Sequence, residues 1–429
     1  MLIQGARGAF TPGSAPVWLA DASSEDVGAV FFDADHDGYL DMYVVSVGNE
    51  FAEDSPALQD RLYLNDARGG FARSFNALPL ETLSGSRVVA ADYDGDGDID
   101  LFVGGRSVPW NYGADPKSML LRNDGRGHFV DVTPALAPAL ERVGMVTDAL
   151  WQDVDLDGRL DLVVVGEWMP ITIFRNTGGG KLAASVAKGL EKSHGWWNRI
   201  VAADLDGDGR NEFVVGNLGL NVRLHASESE PLTMLVKDFD GNGFSEQVLG
   251  LYNMGKQYPM VLRDDLIKAI PPLKARFLNY KDYALVTMDN IFPAAERVGA
   301  IAKQAYHFES AVVTCNANGT FTLTPLPLEA QMTPMFGLLP RDVNGDGHTD
   351  LLLAGNFDGF KPEIGRLAAV EGLVLLGDGT GKLAAVRPTV SGFRVPGQSR
   401  DIQRVRTGRG DLLVVARNNA RPLVFSKGK

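Results

Sequence analysis

The sequence predicts an all-β fold, a β-propeller of seven blades, or six, built from four-stranded antiparallel units. Three observations predict it. An acidic stretch of nine residues occurs six times, apolar runs flank each copy, and strand–turn–strand pairs recur between the copies. Self-similarity at a period near 60 residues over 429 is the signature of a repeat array.

The acidic stretch first occurs as DADHDGYLD from Asp33 and returns as DYDGDGDID, DVDLDGRLD, DLDGDGRNE, DFDGNGFSE and DVNGDGHTD. Position one is Asp33, Asp92, Asp153, Asp204, Asp238 or Asp342, and position three is Asp35, Asp94, Asp155, Asp206, Asp240 or Asn344. Position five is Asp37, Asp96, Asp157, Asp208, Asn242 or Asp346, and position nine is Asp41, Asp100, Asp161, Glu212, Glu246 or Asp350. Position six is always Gly. Position seven varies freely (Tyr39, Asp98, Arg159, Arg210, Phe244, His348), which points to use of its backbone carbonyl rather than its side chain.

Such a loop suits a hard cation bound by oxygen. Calcium takes six to eight oxygen ligands, and the glycine permits the sharp turn around it. An EF-hand is excluded. Position twelve is Val or Leu in all six copies instead of the bidentate Glu, and MYVVSV or LVVVG follows where a helix would have to start. About five or six structural calcium ions are therefore expected. Twenty-two of the 54 acidic residues sit at positions one, three, five and nine, and six divalent ions would bring the net charge of −13 to −1. Without an ion, each loop holds three or four like charges that repel at short range.

The second element is a hairpin. RLYLNDARGGF, MLLRNDGRGHF, ITIFRNTGGGKL and LVLLGDGTGKL each read as strand, Asn/Asp/Gly turn and strand. A unit is thus strand, calcium loop, strand, long loop and hairpin. A degenerate copy, QRVRTGRGDLLVVA from Gln403, keeps Gly408 and Asp411 but not the other carboxylates, and is expected to be a blade without metal. Residues 1–12 are expected to close the ring as a strand beside 411–426, giving one domain over 1–429. The loops at Asp204 and Asp238 are only 34 residues apart and the next lies 104 further on; residues 256–305 between them carry helical spacing and read as a helical insertion.

These residues resemble the FG-GAP and VCBS repeat family, best known from the propeller of integrin α subunits. Gly28-Ala29-Val30 fits its lead-in, and GEWMPITIF, HGWWNRI and GNLGLN resemble bacterial secreted members related to the cartilage acidic protein group. The resemblance implies an extracytoplasmic, calcium-bound module of the cell surface, periplasm or extracellular space, used for adhesion or ligand binding. It names no ligand.

Loops after the second strand of each unit emerge on the face opposite the calcium loops. They bring Arg106, Trp110, Tyr112, Glu167, Trp168, Asn217, Asn221, Asn356, Lys361, Glu363 and Arg366 there, joined by Trp196 and Trp197 of SHGWWN. Aromatic platforms with amides and charges suit a glycan or a protein ligand. The expected function is non-catalytic binding. The alternative is a polysaccharide lyase or hydrolase, with Glu167 and Glu363, or Lys361 and Arg366, as acid–base groups.

Other signals exclude more than they propose. The acidic balance argues against nucleic acid, and no stretch approaches the ~18 uninterrupted apolar residues of a membrane helix. The start, MLIQGARGAF, lacks signal-peptide regions, so a mature form or part of a longer surface protein is expected. Arg409-Gly410-Asp411 falls in the degenerate loop rather than on an adhesive tip, and GGGK and GDGTGK lack phosphate-loop spacing. HExxH and GxSxG do not occur; His36 and His348 read as solvent-facing and Cys315 as a buried strand residue.

Overall fold

The computed structural model of the chain describes residues 2–4, 10–12, 16–185, 187–361, 364–408 and 410–426. Six antiparallel sheets follow one another along it. Sheet one is Glu25–Phe32, Asp41–Val47, Arg61–Asn65 and Phe71–Ser74; sheet two is Ser84–Ala91, Asp100–Ser107, Met119–Asn123 and Phe129–Asp131. Sheet three is Met145–Gln152, Asp161–Met169, Thr172–Asn176 and Leu182–Ser185, with Gly195–Trp196 added beside its second strand. Sheet four is Arg199–Ala203, Glu212–Gly216, Ala311–Cys315 and Phe321–Pro325. Sheet five is Met335–Arg341, Asp350–Gly355, Leu373–Gly377 and Leu383–Val386, and sheet six the three strands Ser399–Thr407, Gly410–Arg417 and Leu423–Ser426. The first strand of each sheet packs against the first strand of the next, from sheet one through to sheet six.

Burial explains the nearly continuous apolar second strands. In sheet three, Leu162, Val163, Val164 and Val165 are all fully buried. Successive side chains point to opposite faces. Val163 and Val165 pack with Ile200 and Phe213 of sheet four, while Leu162 and Val164 pack with Phe102 and Leu120 of sheet two. Both faces of the sheet are thus core, which leaves no polar side to alternate with.

Two expectations are corrected. Leu2–Gln4 pairs with Phe10–Pro12 to make its own hairpin, and among the described residues it does not pair with 411–426; Leu423–Ser426 is instead the third strand of sheet six. The insertion also begins well before residue 256. It lies between Glu212–Gly216 and Ala311–Cys315, neighbouring strands of sheet four, and carries a four-stranded sheet in the order Lys256–Pro259, Glu246–Asn253, Leu232–Lys237, Ile301–Ala305. The loop at Asp238 belongs to this inserted sheet, so it does not mark a further unit of the row. The expected helices are there, at Arg263–Ala269, Pro271–Ala275, Tyr280–Tyr283 and Met288–Ile291. They bury Leu266, Ile270, Phe277 and Ile291 against Val248 of the inserted sheet.

Sheet one contains a buried polar knot. Asp60 accepts hydrogen bonds from the Ser46 N–H and from the Tyr43 hydroxyl, both at 2.7 Å. Burial pushes its carboxyl up to about 7, against the opposing pull of those bonds and of Arg61. The folded value lies above that of the unfolded chain, about 3.9. Its contribution to stability is therefore complete below pH ~4 and is lost as pH rises through about 7. An Asp60→Asn variant should melt below the wild type at pH 5, and this deficit should shrink by pH 8. A deficit independent of pH, measured by scanning calorimetry, would remove this account.

Candidate functional site

Five of the six first strands, all but that of sheet four, carry one residue too many for their ladders. Pairing skips from Asp26 to Gly28, Gly85 to Arg87, Val146 to Asp148, Met335 to Gly337 and Ser399 to Asp401. A bulge of this kind re-aims a side chain. The five skipped residues, Val27, Ser86, Thr147, Phe336 and Arg400, all line one central cavity of about 1300 Å³. Asn198, just before the first strand of sheet four, lines it too. The cavity therefore lies at the start of the first strands, and the acidic loops lie at their far end.

One residue beyond the bulges of sheets two, three and six, and at Arg199 of sheet four, charges from different sheets meet. The Arg87 Nε stands 3.0 Å from Asp148 Oδ1, the Arg199 Nε 3.3 Å from Asp148 Oδ2, and the Arg199 guanidinium 2.8 Å from Asp401. Asp148 is 1% exposed and also accepts the backbone N–H groups of Ala149 and Ile200. Sheet five offers Gly337 at this level, and a Cβ there would meet the Ile402 side chain at 2.8 Å. The ladder thus ties sheets two, three, four and six across the cavity floor.

The walls come from loops at the ends of second strands. Glu167 accepts from the Arg106 guanidinium at 2.6 Å and from the Tyr112 hydroxyl at 2.5 Å, and the Trp168 indole N–H donates to the same hydroxyl at 3.1 Å. Burial first, and Glu167 second, drive the Tyr112 phenol well above its ordinary range. Trp196 sits edge-on to Trp168 and stacks on Phe360, with ring centres 5.1 and 6.3 Å away. Its indole N–H is buried and has no partner among the described residues. Met234, Leu249, Leu251 and Met260 of the insertion close the cavity from above.

Of the residues expected on this face, Arg106, Tyr112, Glu167, Trp168, Trp196 and Lys361 line the cavity. Trp110 is exposed and donates to the Phe51 carbonyl, Asn221 is exposed and donates to the Met332 carbonyl, and Arg366 pairs with Asp358; none of the three lines it. Glu363 lies outside the described residues. Three expectations are corrected by burial. Trp197 is fully buried in the core between sheets three and four and donates to the Ser193 carbonyl. Asn217 donates to the carbonyls of His307 and Glu309, and Asn356 to those of Val370 and Gly397, so both hold backbone together. Sequence reasoning passed over the bulge residues. A signal for them exists: Val27, Ser86, Thr147, Asn198 and Phe336 each lie six positions before the first loop aspartate.

At the other end, five groups of carboxylates bring oxygens within 4.8 Å of one another. Two use positions one, three and five (Asp33, Asp35, Asp37; Asp92, Asp94, Asp96). Three use positions one, three and nine (Asp153, Asp155, Asp161; Asp204, Asp206, Glu212; Asp238, Asp240, Glu246). In all six loops the position-one carboxylate accepts the N–H of the position-six glycine at 2.8–3.1 Å. Those glycines have φ from +85 to +96°, which a side chain would strain. Position-seven side chains Tyr39 and Phe244 are exposed, which leaves the backbone on the inner side.

Position nine does a second job. Asp41, Asp100, Asp161 and Asp350 are fully buried and accept the N–H of Asn65, Asn123, Asn176 and Gly377 at the end of the third strand. Neighbouring sheets are stitched here as well. Asn123 and Asn176 donate to the position-two carbonyls of the preceding loops, Ala34 and Tyr93, at 2.9 and 2.7 Å. Burial raises the Asp100 carboxyl to about 7, with the loop aspartates adding to it. Oxygens of Asp33, Asp35 and Asp100 are buried without a hydrogen-bond partner among the described residues, which fits a cation. The third loop differs, because the Arg175 guanidinium stands 3.3 Å from Asp155 and 2.6 Å from Asp161.

Two smaller expectations resolve. Cys315 is only partly buried, with its thiol pushed up by that burial. Asp411 stands 3.4 Å from Arg341 and 3.5 Å from Arg404, while Arg409 lies outside the described residues. Among the described residues, no helix is long and apolar enough to cross a membrane.

Residues 153–215 match the model of the FG-GAP-like repeat, a span that runs from the third acidic loop through the fourth and its following strand. No curated protein matches the chain. Among solved structures, the chain is similar to an Agrocybe aegerita lectin described as recognising non-reducing terminal N-acetylglucosamine (14% identity, TM-score 0.45, covering 99% of this chain and 87% of that one). It is also similar to the rhamnogalacturonan lyase YesW (13%, TM-score 0.39, 91% and 55%) and to the V. cholerae biofilm matrix protein Bap1 (12%, TM-score 0.33, 91% and 74%).

Replacing Asp148 by Ala should cost about 3–5 kcal/mol, because it leaves Arg87 unpaired and takes one of the two carboxylates from Arg199 at a buried crossing of sheets. The Lys192→Ala change, at the exposed pair with Glu228, should cost less than about 1 kcal/mol. Denaturant unfolding of the two variants checks this, and equal losses would show that the ladder is not a special constraint.

Proposed function

We propose that the chain is a calcium-stabilised β-propeller of six blades with an inserted lid, working outside the cytoplasm, that binds a saccharide in its central cavity without altering it. The cavity carries the reading. It combines aromatic faces (Trp168, Trp196, Phe336, Phe360) with convergent polar groups, and a polar chain with apolar C–H faces matches both. Closure of the ring between sheets six and one is supported by Val27, Arg400 and Ala416 lining one cavity. Calcium is supported by the recurrent ligand positions and the unpartnered carboxylate oxygens. Asp, Asn or Glu at positions one, three, five and nine, with the position-seven carbonyl, would hold each ion. Five or six ions are expected, the third loop taking one only when Arg175 moves aside.

Binding is preferred over catalysis because both oxygens of Glu167 are already occupied by Arg106 and Tyr112. A general acid or base needs a free proton-transfer position. Appearance of new reducing or unsaturated ends in a digest would overturn the preference.

Extracellular modules bind calcium at about 10⁻⁴–10⁻³ M, so stability should depend on millimolar calcium. Elemental analysis should find five or six ions, and chelation should lower the melting temperature by more than about 10 °C. Metal-free protein with an unchanged melt would sink the calcium assignment. For the cavity, a saccharide array probed with the calcium-loaded protein should give binders, and Trp196→Ala should weaken them at least about tenfold with the calcium count unchanged.

A further inference from the structure

The chain is acidic overall, yet its cavity is not. Arg87, Arg106, Arg199, Arg223, Lys361 and Arg400 line it, against the carboxylates of Glu167, Asp265 and Asp401. Arg87, Arg106 and Arg199 are spent on Asp148, Glu167 and Asp401. Arg223, Lys361 and Arg400 are in no ion pair among the described residues.

Arg400 is the most built of these. It is the bulge residue of sheet six, delivered to the cavity as Phe336 is from sheet five. Its guanidinium lies over the Phe336 ring at 4.8 Å and the Phe357 ring at 5.6 Å. Its hydrogen bonds go to neutral oxygens: the Asn356 and Ser399 carbonyls and the Gln398 side chain. Two rings and three neutral acceptors orient the group; the Asp358 carboxylate acts on it through space but forms no ion pair with it, being paired with Arg366 instead. Nearby, buried N–H groups of Arg106 and Trp196 have no acceptor among the described residues.

From this geometry, and resting on the saccharide reading above, we infer that the ligand is an acidic saccharide whose carboxylate is received by Arg400, with Arg223 and Lys361 drawing the anion into the cavity. A planar guanidinium can take a carboxylate through two parallel hydrogen bonds. The Phe rings beside it supply an apolar face for the sugar ring that carries the carboxylate. Low-dielectric walls strengthen the attraction, and exposed Arg223 and Lys361 make it sensitive to salt. The reduction of sugar carboxylates to alcohols removes the charge while keeping the ring, so it isolates this interaction.

The test is titration calorimetry of the calcium-loaded full chain against galacturonate and mannuronate oligosaccharides, their carboxyl-reduced forms and a neutral glucan of the same length. At least one uronate should bind ten times or more tighter than its reduced form. Arg400→Met should abolish that preference with unchanged calcium content. Arg223→Gln with Lys361→Gln, two exposed side chains whose loss leaves the fold intact, should weaken uronate binding several-fold and flatten its salt dependence. Equal binding of uronate and reduced forms would overturn the acidic-ligand inference and leave the saccharide reading standing. No binding by any of these saccharides would overturn both.

Discussion

Everything in this molecule hangs on the crowding of first strands around one cavity. Strands that approach so closely cannot all carry side chains at the floor, and the sequence answers with two devices. Gly337 leaves room in sheet five. Gly28 does the same in sheet one, and the other four positions carry opposite charges, so that Arg87, Asp148, Arg199 and Asp401 join sheets that share no backbone ladder. A buried ion pair is a poor source of net stability but a strong penalty against the wrong arrangement. Here each partner comes from a different sheet, so a slipped or mis-ordered sheet would leave a buried charge unpaired. The bulge immediately before this level separates the two tasks. One residue ties different sheets together, and the residue before it faces the cavity.

The other end of the same strands is governed by a different constraint. Position-nine carboxylates are buried because they staple the second strand to the third, and that burial costs free energy that a bound cation would offset. Asn123 and Asn176 then hand the consequence to the next sheet, since each grips the loop of its predecessor. Metal in one loop, as proposed, would stiffen two sheets. Arg175 marks where the scheme varies, a side-chain cation already lying against two of the third loop's carboxylates.

Much of this was legible in the sequence, and the reasons for the gaps are physical. The loop positions could be read because six copies repeat the same carboxylates around a glycine, and the hairpins because Asn and Gly at tight turns have few substitutes. The insertion was under-read. The short interval between Asp204 and Asp238 was visible, but the inserted sheet uses the same loop as the others, so local pattern could not tell a ring sheet from a lid. Trp197 and Asn217 were misjudged because a tryptophan or asparagine near a strand end reads alike whether it faces ligand or core. Trp196 and Trp197 are adjacent, and the alternation of a strand sends one to the cavity and the other to the core. The bulge residues gave no compositional sign. Val27, Ser86, Thr147, Asn198 and Phe336 share only their distance from the first aspartate, and that distance matters only once the strand is known to bulge.

That diversity is itself informative. A position that bore on folding alone would converge on one residue type, as positions one and six of the acidic loop do. The cavity positions run instead through Val, Ser, Thr, Asn, Phe and Arg, so no two sheets present the same side chain to what lies between them. A symmetric framework made asymmetric only there offers a directional surface, suited to a ligand with distinguishable ends. The separation of charge follows the same division. Carboxylates gather where strands turn and divalent ions could answer them, while unpaired cations gather where the strands begin. The acidity of the whole chain therefore says little about what its cavity attracts.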